Sequence, residues 1–84
     1  MALDILGNEL YPGDVAVYAD VIEGVPSLIM YEVEELIDNN VVLATVMSGD
    51  DIGLAFYLQD TDKRTLFIRN PYKASGIKRS TTLN

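Results

Sequence analysis

The chain contains no cysteine, no histidine and no tryptophan. Without cysteine there is no disulfide to staple a small fold, and such usage fits a reducing compartment, so a cytoplasmic location is expected. Without histidine and cysteine together, the usual zinc centres, catalytic triads and thiolate nucleophiles have no residues to be built from. Long apolar runs are missing too. Val41 to Met47 is far shorter than the roughly 20 residues that span a bilayer as a helix. The opening Met1-Ala2-Leu3-Asp4 has neither a basic stretch nor an extended apolar one, which predicts no signal peptide. The glycines stand apart, at Gly7, Gly13, Gly24, Gly49, Gly53 and Gly76, so no phosphate-cradling loop is present.

Positive charge is absent from most of the chain. All thirteen acidic residues lie between Asp4 and Asp62, and all six basic ones (Lys63, Arg64, Arg69, Lys73, Lys78, Arg79) follow, so −13 and +6 combine to a net −7. An acidic body cannot hold a phosphate backbone. Only the C-terminal basic strip, with Phe67 and Tyr72 as stacking rings, offers weak nucleic-acid contact. The split predicts an acidic face and a basic strip, each a docking surface, set against plain solvation of turns.

What is present is an ordinary globular composition. The 84 residues are 49% hydrophobic and 23% charged, enough for one domain with a small core. Leu3 to Tyr11 reads as a short extended segment with a Gly7-Asn8 turn, and Pro12-Gly13-Asp14 as a turn. Val15 to Ala19 reads as the first strand and Ile22 to Ser27 as a loop. Leu28 to Asp38 fits either of two elements. As a helix it has Ser27 as N-cap, but Glu34, Glu35 and Asp38 then crowd its negative end. As a bent strand it alternates through Ile29, Tyr31 and Val33 and slips at Glu34-Glu35, as a bulge would make it; this reading is favoured.

Asp38-Asn39-Asn40 is a turn, since asparagine tolerates left-handed backbone. Val41 to Met47, Leu54 to Gln59 and Thr65 to Arg69 supply three more strands, with Asp60 to Arg64 as a turn. Five short strands with polar turns describe an all-β meander that must close to bury its inner face, and the expected fold is a small five-stranded SH3-like barrel. Its expected core is Val15, Val17, Ile29, Val33, Leu43, Leu54, Phe56, Leu66 and Ile68. The domain is placed at 1–73, followed by a polar, basic, flexible tail at 74–84.

The pattern Asp4-x-Leu6-Gly7-Asn8-Glu9-Leu10-x-x-Gly13-Asp14-x-Ala16-x-Tyr18 resembles the opening of small SH3-like barrel proteins encoded by bacteriophages. Leu28-x-x-Tyr31-x-Val33-x-x-Leu36, the apolar Val41 to Val46 and Arg69-Asn70-Pro71-Tyr72-Lys73 extend the likeness to residues 4–73. Such proteins often carry a glycine near the start of the second strand, where this chain has Tyr31-Glu32. The resemblance implies the barrel and a phage origin, and supplies no site.

Carboxylates are the only acid–base candidates, at Asp50-Asp51 and Asp60-x-Asp62, and turn chemistry accounts for both pairs. A calcium loop starting at Asp60 lacks its glycine and its final glutamate. No cofactor, metal or catalytic residue is therefore expected. The candidate acidic interface is Glu32, Glu34, Glu35, Asp38, Asp50 and Asp51. Strand parity sets Tyr18, Tyr57 and Phe67 opposite the core, so with Arg64, Arg69, Tyr72 and Lys73 they form a candidate aromatic and basic patch.

The function that remains is a non-enzymatic protein-binding module. On this reading a phage protein engages a host factor through an acidic, nucleic-acid-mimicking surface. The alternatives are self-assembly into a homo-oligomer, with the basic strip of one copy on the acidic face of another, and weak nucleic-acid binding through that strip.

Overall fold

The computed structural model describes residues 1–71; the expectations placed on Tyr72, Lys73 and the 74–84 tail lie outside the described residues. Five strands follow one another: β1 (Val15–Ile22), β2 (Val25–Asp38), β3 (Val41–Val46), β4 (Ala55–Leu58) and β5 (Thr65–Arg69). A single helical turn, α1 (Thr61–Arg64), separates the last two and replaces the turn expected there. All neighbours are antiparallel in one sheet ordered β4-β3-β2-β1-β5, and β4 and β5 are its two edges.

The expected loop at Ile22 to Ser27 is instead a two-residue hairpin. Glu23 and Gly24 have φ of 50° and 81°, and Ile22 pairs with Val25. Two successive left-handed residues match the twist of the flanking strands, so the chain reverses without splaying them. Pro26 is tolerated in β2 because it sits one step from the hydrogen-bonded Ile22/Val25 pair. Its missing N–H therefore points away from β1, and β3 pairs with β2 only from Tyr31 onward. Leu28 to Asp38 is strand throughout.

The register of β2 against β3 shifts between Val33 and Glu35, which leaves Glu34 as the inserted residue of a bulge. Inserting one residue flips the parity, so Tyr31 and Val33 point inward before it and Leu36 points inward after it. At the next turn Asn40 takes the left-handed conformation, with φ 54°.

The core differs in part from expectation on each strand. Ala2, Leu10, Tyr18, Tyr31, Val33, Val42, Ala44, Val46 and Leu58 form its buried cluster, with Ile29, Leu36 and Phe67 packed against it. Val15 and Val33 are buried as expected, and Val17, Ile29 and Leu43 only partly so. Leu54, Phe56, Leu66 and Ile68 are exposed. Inward parity on β1 is set by Ala16, whose small side chain leaves room for the opposing Tyr31 ring. Pairing Ala16 with Phe67 and Tyr18 with Thr65 then fixes which residues of β5 face in.

The chain before β1 folds back on itself through a Leu3/Glu9 bridge and buries Ala2 and Leu10 completely. Its organiser is Asp4, 2% exposed. One carboxylate oxygen accepts the N–H groups of Leu6 (3.0 Å) and Asn8 (2.8 Å). The other accepts Asn8 Nδ2 (3.2 Å) and, across the fold, the Phe67 N–H (2.9 Å). Ile5 N–H donates to the Thr65 carbonyl at 2.8 Å, so Asp4 and Ile5 together cover the outer edge of β5. Asp14, also fully buried, accepts the Tyr11 N–H (2.8 Å) and Asn70 Nδ2 (2.7 Å).

Candidate binding groove

A groove of about 670 Å³ opens on the inner side of the sheet, between the β1–β2 hairpin, the Ser48–Asp51 loop, β4 and α1. It exists because β1 and β2 run past their neighbours. β5 pairs with β1 only as far as Tyr18, and β3 pairs with β2 only from Tyr31, so Ala19 to Met30 stands out as a two-stranded arm. The loop opposite is tied to the base of that arm. Met47 N–H donates to the Met30 carbonyl (2.8 Å), and Met30 N–H donates to Ser48 Oγ (3.0 Å).

Two tyrosines form the floor. Tyr18 and Tyr31 meet edge to face, centroids 5.7 Å apart and planes at 84°. Tyr18 is 4% exposed, and its hydroxyl donates to the Gln59 carbonyl at 2.8 Å. Desolvation raises the pKa of both phenols above 10.0, opposed at Tyr18 by the nearby Arg64 charge. Arg64, delivered by α1, lies over the Tyr18 ring with its guanidinium carbon 4.4 Å from the centroid. It is fixed there by bonds to the Ala19 carbonyl (3.0 Å) and the Asp20 carboxylate (3.0 Å).

The mouth is apolar and its rim acidic. Leu28 is 75% exposed and Tyr57 65%, and Ile22 and Phe56 are exposed beside them. Asp20, Asp50 and Asp51 line the same space, and among the described residues Arg64 is the only cationic one lining it. No group of three or more acidic side chains among the described residues is arranged to hold a metal ion.

The six candidate acids separate into two places. Asp50 and Asp51 belong to the groove, while Glu32, Glu34, Glu35 and Asp38 lie along β2. Alternation puts Glu32 on the face opposite Tyr31, and the bulge keeps Glu34 and Glu35 both exposed, with Glu34 accepting the Thr45 hydroxyl at 2.8 Å. Asp38 sits seven residues beyond Tyr31, about 23 Å along the strand.

The aromatic candidates do not form an outer patch. Of the three described aromatic candidates, Tyr18 is in the core, Phe67 is half-buried against it, and Tyr57 alone is exposed. The parity argument fails because a tyrosine buries its ring when its hydroxyl has a partner, as Tyr18 has in Gln59. Arg69 is exposed at the far end of β5. Leu28, Ile22 and Phe56 are groove residues that sequence reasoning missed; for Ile22 and Leu28 the signal was an apolar stretch on both sides of Glu23-Gly24 with too few polar residues for a loop, while Phe56 is expected in the core.

Comparison with known proteins gives no match to this chain among protein-family models, curated proteins or solved structures.

Proposed function

We propose that this protein is a non-catalytic binding module that takes a protein partner in the groove between the β1–β2 arm and β4. The observation that carries the reading is the grouping of Ile22, Leu28, Phe56 and Tyr57 as exposed side chains around one cavity. Exposed large apolar and aromatic residues gathered in a concavity are what interfaces use as anchors. Scattered singly, they would need no explanation. The surrounding charge selects the partner. Over residues 1–71 thirteen acidic side chains face three basic ones, a formal −10, so the matching surface is basic.

The SH3-like arrangement belongs to the same proposal. Read from β5, the strand order is 5-1-2-3-4, with a long shared β2 and a helical turn before the last strand. That order, wrapped around one core with its edges left apart, supports a partly open SH3-like barrel.

The test is capture from a bacterial lysate with the wild-type chain and with a Leu28→Ser/Tyr57→Ser double variant. Both positions are exposed, so the variant keeps its circular-dichroism spectrum and melting transition. The expected result is a partner retained by wild type and lost by the variant. Equal retention by both would sink the groove reading. A second reading, favoured by the exposed carboxylates of Glu34 and Glu35 and the half-buried Glu32 beside them, has a basic groove of the partner dock on the outer face of β2. Under it, capture is lost in a triple glutamine variant at those positions and survives in the groove variant.

A further inference from the structure

We infer that the partner enters as an extended cationic segment and pairs with the free edge of β4 as a sixth strand. This rests on the groove reading above and names how the groove is filled.

The two edges of the sheet are treated differently. The outer edge of β5 is covered by the chain itself, through Ile5 N–H to the Thr65 carbonyl and the Asp4 carboxylate on the Phe67 N–H. Among the described residues β4 has a sheet neighbour on one side only. Its register tells which groups are turned outward. Val46 exchanges bonds with Gly53 and Leu54 (2.9 and 2.8 Å), so the ladder steps on by twos to Phe56 and Leu58. The N–H and C=O groups of Ala55 and Tyr57 are then directed away from β3. Gln59, next in that series, shows where they point: its carbonyl takes the Tyr18 hydroxyl from across the groove. The open edge of β4 therefore faces the cavity that Phe56, Tyr57 and Leu28 line.

Charge decides the occupant. A second copy would bring −10 against −10 over the described residues. A cationic strand would meet Asp20, Asp50 and Asp51 on the groove rim. Arg64 shows that a guanidinium is accommodated in this cavity, stacked on Tyr18 and paired with Asp20. Strand addition gives affinity through main-chain bonds and specificity through alternate side chains. With two outward residues on β4 the main-chain contribution is small, so the side chains on Tyr57 and the acidic rim must carry the rest.

The experiment uses the full-length, isotopically labelled chain and a blocked seven-residue peptide of alternating valine and arginine, with the valine–glutamate peptide as control. Amide hydrogen exchange is read residue by residue. The expected result is a several-fold slowing at Ala55 and Tyr57 with the cationic peptide only, weakened by added salt, while Phe56 and Leu58, already bonded to β3, change little. An Asp50→Asn/Asp51→Asn variant lowers the affinity and keeps the same protected amides. No binding, equal binding of both peptides, or binding that leaves Ala55 and Tyr57 unprotected overturns strand addition. Lysate capture that depends on Leu28 and Tyr57, without protection of these amides, overturns this inference and leaves the groove reading standing.

Discussion

Replacing Asp4 by alanine removes the acceptor of four hydrogen bonds at once, from Leu6, from Asn8 twice and from Phe67, at 2.8 to 3.2 Å. A bond to a charged group contributes about 1.5–3 kcal/mol, and the four do not add, because they share one carboxylate. Leu6 is exposed and Asn8 half-buried, so water replaces much of what they lose. The Phe67 N–H, on the edge that Asp4 covers, is the least replaceable. We therefore expect a loss of about 3 kcal/mol. A domain of this length holds about 4–12 kcal/mol in total, so the variant stands near the limit of folding. Asp4→Asn keeps an acceptor for the Leu6 and Asn8 N–H groups but turns an NH₂ toward Phe67 N–H, for a loss of about 2 kcal/mol. Asp51→Asn, exposed in a loop, is the control and stays within about 0.5 kcal/mol. Urea unfolding followed by circular dichroism reads these values. With a slope of about 1 kcal/mol/M the midpoint falls by about 3 M for alanine, or the chain is unfolded without denaturant. A loss below about 1 kcal/mol for Asp4→Ala, or no difference from Asp51→Asn, would refute the claim that this carboxylate holds the chain start to β5.

Arg64→Ala loses its stacking on Tyr18 and its bond to Asp20; because both charged side chains are more than a third exposed (36% and 41%), solvent screening limits the cost to about 1 kcal/mol in the same unfolding assay. Thr65→Val is expected to stabilise by about 0.5–1 kcal/mol, since the buried Thr65 hydroxyl has no partner among the described residues and valine keeps its shape in a strand; a melting temperature below wild type would contradict this. The phenols of Tyr18 and Tyr31 are held above their ordinary pKa by burial, so the folded state binds their protons more tightly than the unfolded one. Their stabilisation is complete below pH 10 and is lost as pH rises through their folded-state ionisation, at up to about 1.4 kcal/mol per pH unit for each. Urea midpoints on either side of pH 10, with tyrosinate absorbance as the monitor, check the sign: a midpoint that holds or rises above pH 10 would contradict it.

Much of the fold is legible in the sequence. All five strands lie where β-formers cluster between turn residues, and the slip at Glu34-Glu35 marks the bulge. The faces are harder to read. Val41 to Val46 and Ala55 to Leu58 are apolar on both sides, so alternation cannot say that Val42, Ala44 and Val46 face in while Leu43 does not, or that Phe56, on the same face as Ala44, stays exposed at the groove. That choice is made by register with neighbouring strands, which is a long-range property. The arm was missed for a related reason. Gly24 and Pro26 signal a loop locally, and only pairing with β1 turns Val25 to Ser27 into strand. Of the groove, Tyr57, Arg64, Asp50 and Asp51 were visible as residues of interest, but assigned to separate surfaces. Asp4, Gly7, Asn8, Gly13 and Asp14, the polar and glycine positions of the opening motif, form the turns before β1. Their buried carboxylates reach partners 63 and 56 residues away, a distance no local pattern encodes.

The Asp4–Phe67 bond also has a schedule. A ribosome adds about 5–20 residues per second, so several seconds separate the synthesis of the carboxylate from that of the amide it binds. β1, β2 and β3 pair with one another through short turns, and the pairing bonds among them all lie before β4. The opening loop, by contrast, waits for the last strand. That loop is among the last parts of the domain to lock, and a chain ending before Phe67 would lack the amide that the Asp4 carboxylate is placed to meet.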